Sequence, residues 1–151
     1  PLESETAATI TGLGDMALHH HSDAGALTVL LPDEVGGLQV SSDHADGQGW
    51  IDVTPTDGAL VINIGDMMQI WSNGRYRAAL HRVRPITDRP RYSVPFFFNP
   101  AYDTEVAPLV ATAEASPAKY RAVNWGDFRQ ARADGDFADY GHEIQIADFR
   151  L

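Results

Sequence analysis

Short apolar runs broken by Gly, Pro and Asn set the pattern of this chain. From Ala26 to Leu31 six residues run almost without a polar break, rich enough in branched side chains to predict a buried strand. Pro32-Asp33-Glu34 and Gly36-Gly37 bracket a turn, and Leu38-Gln39-Val40 resumes extended chain. Trp50-Ile51-Asp52-Val53 alternates, and Ala59 to Ile64 reads as another buried strand. Arg75 to Val83 and Arg91 to Phe98 complete the series, with the turn dipeptide Asn73-Gly74 just before the first of them. A further strand is expected over Thr6 to Leu13, and a polar loop over Ser41 to Gly49. Met67, Met68, Ile70 and Trp71 suit a short core-facing helix or turn. In the tail, Ser116-Pro117 has the form of a cap followed by a first-turn proline, Trp125 to Ala133 predicts a short helix, and Ile144-Gln145-Ile146 an edge strand. Close, regular strand spacing without alternating helices predicts an all-β sandwich or barrel.

Composition narrows the class. With 151 residues, 44% of them apolar, the chain suffices for one globular domain and falls short of two ordinary ones. A net charge of −10 opposes phosphate backbones and anionic lipid, so neither nucleic acid nor membrane is an expected partner. No apolar run approaches the roughly 20 residues that span a bilayer. The absence of cysteine excludes disulfides, thiolate metal sites and cysteine nucleophiles, and a cytoplasmic location is the simplest expectation.

Candidate chemistry centres on the histidines. His21-Ser22-Asp23 has the His-x-Asp spacing that puts an imidazole and a carboxylate on one face of a strand. Chance alone supplies about 0.6 such pairs in a chain of this composition, so the motif by itself carries little weight. A second copy, His44-Ala45-Asp46, lies in the polar loop and reads as solvated surface, whereas the first runs directly into an apolar strand. His19 is read as exposed, although it could share the face of His21. In Ala79-Leu80-His81-Arg82-Val83, His81 alternates with apolar neighbours. A lone histidine on such a face is ordinarily a satisfied core residue; with His21 and Asp23 it would complete a two-histidine, one-carboxylate set that suits non-haem Fe(II). Zn²⁺ with an open position is the competing reading, and implies a hydrolase. Arg91 and Ser93, again two apart, offer a guanidinium and a hydroxyl that match a carboxylate; a buried salt bridge to an acidic side chain is the plainer alternative.

These residues sit within longer blocks. Asp23-Ala24-Gly25-Ala26-Leu27-Thr28, Val35-Gly36-Gly37-Leu38-Gln39-Val40 and Trp50-Ile51-Asp52-Val53 resemble successive blocks of the isopenicillin N synthase-like, 2-oxoglutarate/Fe(II)-dependent dioxygenases. So do Asn63-Ile64-Gly65-Asp66, Trp71 to Tyr76, Leu80-His81-Arg82-Val83 and Arg91 to Phe97, in the family's order over roughly His21 to Pro100. The resemblance implies a double-stranded β-helix, or jelly roll, with a short C-terminal helical segment. It implies one catalytic domain over 1–151, with a core at 16–100 and an extension at 101–151. His21, Asp23 and His81 fall on the iron-ligand positions, and Arg91 and Ser93 on the pair that holds the distal carboxylate of 2-oxoglutarate. Phe97 is a candidate wall of the substrate pocket, with ordinary core as its plainer role.

The implied activity is oxidation of a small organic substrate with release of succinate and CO₂, using Fe(II), 2-oxoglutarate and O₂, with ascorbate as an additional candidate cofactor. Two alternatives remain beside it: an Fe(II) oxidase of the same family that does not use 2-oxoglutarate, and a catalytically inert, truncated jelly-roll binding domain. The family's helical region before the barrel has no counterpart here, and no tyrosine precedes His21, so a fragment or an unusually short member is expected.

Overall fold

The computed structural model describes residues 17–42, 49–86, 88–109, 117–138 and 144–151. Among them the elements run β1 (Leu18–His21), β2 (Leu27–Pro32), β3 (Leu38–Ser41), β4 (Trp50–Asp52), β5 (Val61–Ile64), α1 (Asp66–Trp71), β6 (His81–Val83), β7 (Ser93–Phe98), β8 (Glu105–Val106), β9 (Val123–Asn124) and α2 (Trp125–Ala138), followed by a 3₁₀ turn at Ile146–Phe149. The strands form a four-stranded sheet in the order β1-β6-β3-β4, a three-stranded sheet in the order β5-β2-β7, and the β8-β9 pair. The predicted all-β character is thus present. The expected strand at Thr6 to Leu13, the second His-x-Asp copy and Ser116 lie outside the described residues.

Two compact units share the chain, one drawn from the stretches up to Ser22, Leu30–Val61 and Ala79–Pro95, the other from Asp23–Val29, Ile62–Ala78 and Phe96–Leu151. In the first unit β3 pairs antiparallel with β6 through Leu38↔Val83, Gln39↔Arg82 and Val40↔His81, and with β4 through Gln39↔Asp52. Strand alternation sends Gln39 and Arg82 to one face, where Arg82 Nε donates to Gln39 Oε1 at 2.8 Å and Gln39 Nε2 donates to Asp52 Oδ1 at 3.0 Å. The Arg82 guanidinium also lies 4.0 Å from the centre of the Trp50 ring. His81 falls on the opposite face. On the other side of β6, β1 pairs through Leu18↔Val83 and His21↔His81, and the register slips between these two pairs. That irregularity re-aims the end of β1, as bulges next to functional sites do.

The second unit holds the main hydrophobic cluster: Ala26, Met67, Ile70, Val106, Tyr120, Val123, Trp125 and Phe128, with Ile144, Ile146 and Phe149 packed against it. Helix α1, read correctly from Met67 to Trp71, begins by closing onto the segment that follows β1. Gly65, Asp66 and Met67 donate their N–H groups to the carbonyls of Ala26, Asp23 and Gly25 at 3.0, 2.8 and 3.0 Å. These are donors a helix start otherwise leaves orphaned. The Asp66 carboxylate, fully buried, meets Arg132 of α2 at 2.7 Å. Helix α2 starts behind Asn124, whose side chain accepts the Asp127 N–H at 3.1 Å, and it runs on to Ala138, past the predicted end at Ala133.

Several expectations change. Arg75 to Leu80 is not strand, and β6 covers only His81–Val83. Arg91 precedes β7 rather than lying in it. Ile144-Gln145-Ile146 gives way to the 3₁₀ turn, because Gln145 and Asp148 cap each other across it. Pro117 opens no helix. The runs read as buried strands are partly exposed, with Leu31, Ile62 and Phe96 to Phe98 all more than half accessible. Among the described residues no helix is long and apolar enough to cross a membrane.

Gly65 admits no side chain. A Cβ there would stand 2.3 Å from the Gly25 carbonyl oxygen and 2.9 Å from that of Asp23, both rigid backbone atoms. We therefore expect Gly65→Ala to lose about 1–3 kcal/mol of stability, read as a lower urea midpoint at unchanged slope.

Candidate metal centre

Three of the predicted residues come together. His21, Asp23 and His81 each offer a ligand atom, and these atoms lie within 4.8 Å of one another. His21 ends β1 and His81 begins β6, paired across the strands with ring centres 4.3 Å apart. Both rings are oriented by the same device. His21 Nδ1 lies 2.8 Å from the His19 carbonyl oxygen, and His81 Nδ1 lies 2.9 Å from that of Ala79. A carbonyl oxygen only accepts, so each Nδ1 carries a proton, and Nε2 is the ring nitrogen through which either histidine would ligate a metal. His19 itself is exposed, as read from the sequence, and serves through its backbone.

Asp23 is buried, and its carboxylate is gripped on one oxygen. Thr28 Oγ1 donates to Oδ2 at 2.5 Å, and Asn63 Nδ2 donates to the same atom at 2.8 Å. Its backbone carbonyl accepts the Asp66 N–H. Neither Thr28 nor Asn63 was legible as a site residue. Thr28 looks like one branched residue in an apolar run. Asn63 is a lone polar interruption of a buried-looking strand, and such a buried polar group requires a partner.

Two imidazoles and one carboxylate, clustered at this spacing and partly shielded from water, form the donor set of a single divalent cation site. The residues present fit an iron ion in this respect. Arg91 and Ser93 are also joined: Arg91 Nη1 donates to Ser93 Oγ at 3.3 Å, and Arg91 Nε donates to the Gly36 carbonyl at 2.5 Å. The salt bridge that the plainer reading required is not formed among the described residues. Phe97 is exposed on β7, so it is not ordinary core.

A family model described as the 2OG-Fe(II) oxygenase superfamily matches residues 6–100. Gibberellin 3-beta-dioxygenase 1 of Pisum sativum is 38% identical over 119 residues, covering 78% of this chain and 31% of the relative. Among solved structures, a dioxygenase for auxin oxidation from rice superposes with a TM-score of 0.75 at 35% identity, over 91% of this chain and 46% of that one. JOX2, solved in complex with 2OG, Fe and JA, gives 0.70 at 39% identity over 76% and 33%. The chain therefore spans about a third of the length of the curated relatives it matches. With mostly-β architecture and neighbours of this kind, the fold class is the double-stranded β-helix.

If the grip on Asp23 Oδ2 orients the carboxylate, Asn63→Ala and Thr28→Val will each weaken Mn(II) binding by about 10–100-fold, the usual cost of losing a partner of a metal ligand. Calorimetric titration of the metal-free protein reads this directly.

Proposed function

Because the chain belongs to the 2OG-Fe(II) oxygenase superfamily, we propose that it forms the catalytic part of an Fe(II)- and 2-oxoglutarate-dependent oxygenase acting on a small organic molecule. The overall reaction converts substrate, O₂ and 2-oxoglutarate into oxidised product, succinate and CO₂. The observation that carries this reading is the convergence of His21, Asp23 and His81 within 4.8 Å.

In this reading, His21 and His81 hold Fe(II) through Nε2 and Asp23 through its carboxylate. Bound iron supplies the redox chemistry that dioxygen needs to react with closed-shell molecules. The protein supplies fixed donors. The carbonyls of His19 and Ala79 orient the imidazoles through Nδ1, and Thr28 and Asn63 orient the Asp23 carboxylate, so each ligand side chain has a partner that fixes its direction. Arg91 and Ser93 bind the distal carboxylate of 2-oxoglutarate through a charge-assisted pair. A zinc hydrolase would leave that donor pair without a role, whereas an oxidase that dispenses with the 2-oxo acid could use it for a substrate carboxylate, and oxygen uptake with and without 2-oxoglutarate separates the two. Residues 16–100 are read as the catalytic core and 101–151 as its extension. Phe97, apolar and exposed, is offered as a wall for the organic substrate. A cysteine-free, acidic chain of this activity suits the cytoplasm.

His81→Ala is expected to abolish 2-oxoglutarate-dependent succinate formation and to weaken Mn(II) binding by more than about 100-fold, beyond the cost of an outer partner, while circular dichroism stays unchanged. Retained turnover in a folded His81→Ala protein would remove the assignment. Anaerobic addition of Fe(II) and 2-oxoglutarate to the unaltered protein should give a visible charge-transfer band that either Arg91→Met or His81→Ala suppresses.

A further inference from the structure

The turn between β2 and β3 reaches across to the stretch that carries Arg91 and Ser93. The Asp33 N–H donates to the Tyr92 carbonyl at 3.0 Å, and the Tyr92 N–H donates back to Asp33 Oδ2. Asp33 Oδ1 meanwhile accepts the Val35 N–H at 3.0 Å, closing the turn on itself. Three residues on, the Gly36 carbonyl accepts Arg91 Nε, and Gly36 and Gly37 both adopt the left-handed backbone that favours glycine, with φ of 84° and 88°. One turn thus grips Tyr92 at both backbone groups and Arg91 at its side chain.

We propose that Asp33 is a positioning residue for the co-substrate: by fixing the Tyr92 backbone it holds Arg91 and Ser93 on one face as a two-point donor for the distal carboxylate of a 2-oxo diacid. The proposal rests on the functional reading above and deepens it. An aspartate this close to an arginine ordinarily pairs with the guanidinium and competes with an anionic ligand. Here both carboxylate oxygens are spent on backbone N–H groups, and no Asp33–Arg91 ion pair forms among the described residues. The Tyr92 N–H, then the Val35 N–H and the charges of Arg91 and Arg89, hold the Asp33 carboxyl below the usual carboxylate range. The group is therefore ionised, as its acceptor role requires, at any pH where 2-oxoglutarate is a dianion. In the sequence alone, Pro32-Asp33-Glu34 reads only as turn punctuation.

The test compares two ligands on Mn(II)-loaded protein without oxygen: 2-oxoglutarate, and 2-oxobutanoate, which keeps the 2-oxo acid head but has no distal carboxylate. Asp33→Ala should weaken 2-oxoglutarate binding about tenfold, the cost of a lost hydrogen bond to a charged group, and leave Mn(II) and 2-oxobutanoate affinities unchanged. Asp33→Asn keeps the shape and one carbonyl acceptor, so it should fall between the two proteins; it also reads the same comparison should Asp33→Ala not fold. Equal weakening of both ligands, or a parallel loss of Mn(II), assigns Asp33 a purely structural part and overturns the proposal. Unchanged 2-oxoglutarate binding overturns it as well. Arg91→Met separates the underlying assignment: discrimination between the two ligands that survives this variant means the carboxylate does not bind there, whatever Asp33 does.

Discussion

The start of helix α1 docks on the backbone of Asp23 to Ala26, and the candidate centre depends on that contact. Three successive N–H groups of the helix start meet three carbonyls of one short segment. Only a glycine at position 65 lets the two backbones approach so closely. From the other side, Asp66 is tied to Arg132, both nearly inaccessible to water. Breaking such a pair by removing one partner costs about 3–5 kcal/mol, because a charge is left in a medium that solvates it poorly. The Asp23 backbone is therefore pinned through a helix that is itself pinned by α2. Its side chain is set independently, by a hydroxyl and an amide on one oxygen. Position and orientation of the carboxylate have separate causes.

The two histidines follow a different logic. Each Nδ1 turns back to the backbone carbonyl two residues earlier in the chain. Such a bond needs no specific partner residue, so it survives most substitutions around it, and it sets the ring angle. What it cannot set is the distance between the rings. That comes from the β1–β6 pairing and from the register slip before His21. Behind β6, the Trp50–Arg82–Gln39–Asp52 chain of contacts stiffens the sheet on the face away from the ligands. Polar groups there are satisfied pairwise, which favours one register over a slip that would turn His81 outward.

Period-two patterning made the strands legible, and the blocks read together made His21, Asp23 and His81 legible as one set. But β1 ends at His21 and Asp23 lies in the connection before β2, so one strand face does not place the carboxylate beside the imidazole. Alternation tells which residues share a face but not which strands become neighbours, so the β1–β6 pairing and its bulge had no signature in the chain. Thr28 and Asn63 were hidden for a related reason. A single polar residue in an apolar strand announces a need for a partner without naming it. Gly65 lay in a recognisable block, yet its physical role, room for a carbonyl oxygen, exists only in three dimensions. Asp33 was the hardest to see: Pro, Asp and Gly in a turn are sufficiently explained by local chemistry, and nothing local hints that the aspartate serves a segment nearly sixty residues away. The edge strand expected at Ile144 failed because a reciprocal Gln145–Asp148 cap competes with extended pairing at short range.

Charge poses the last physical problem for the proposed co-substrate. A chain of net charge −10 repels a dicarboxylate at long range, which argues against binding driven by the overall field. Screening shortens that repulsion to about 8 Å at physiological salt, so the nearest groups decide. Beside Arg91 the Asp33 carboxylate is turned onto backbone N–H donors, and the arginine itself donates to a carbonyl and a hydroxyl. The local arrangement keeps a cation available within an acidic molecule without neutralising it. Lysine could not substitute there on equal terms, because a point charge lacks the separate Nε and Nη donors that face Gly36 and Ser93 at once. The planar fork is what allows one side chain to be anchored by its own scaffold and still present donors to an anion.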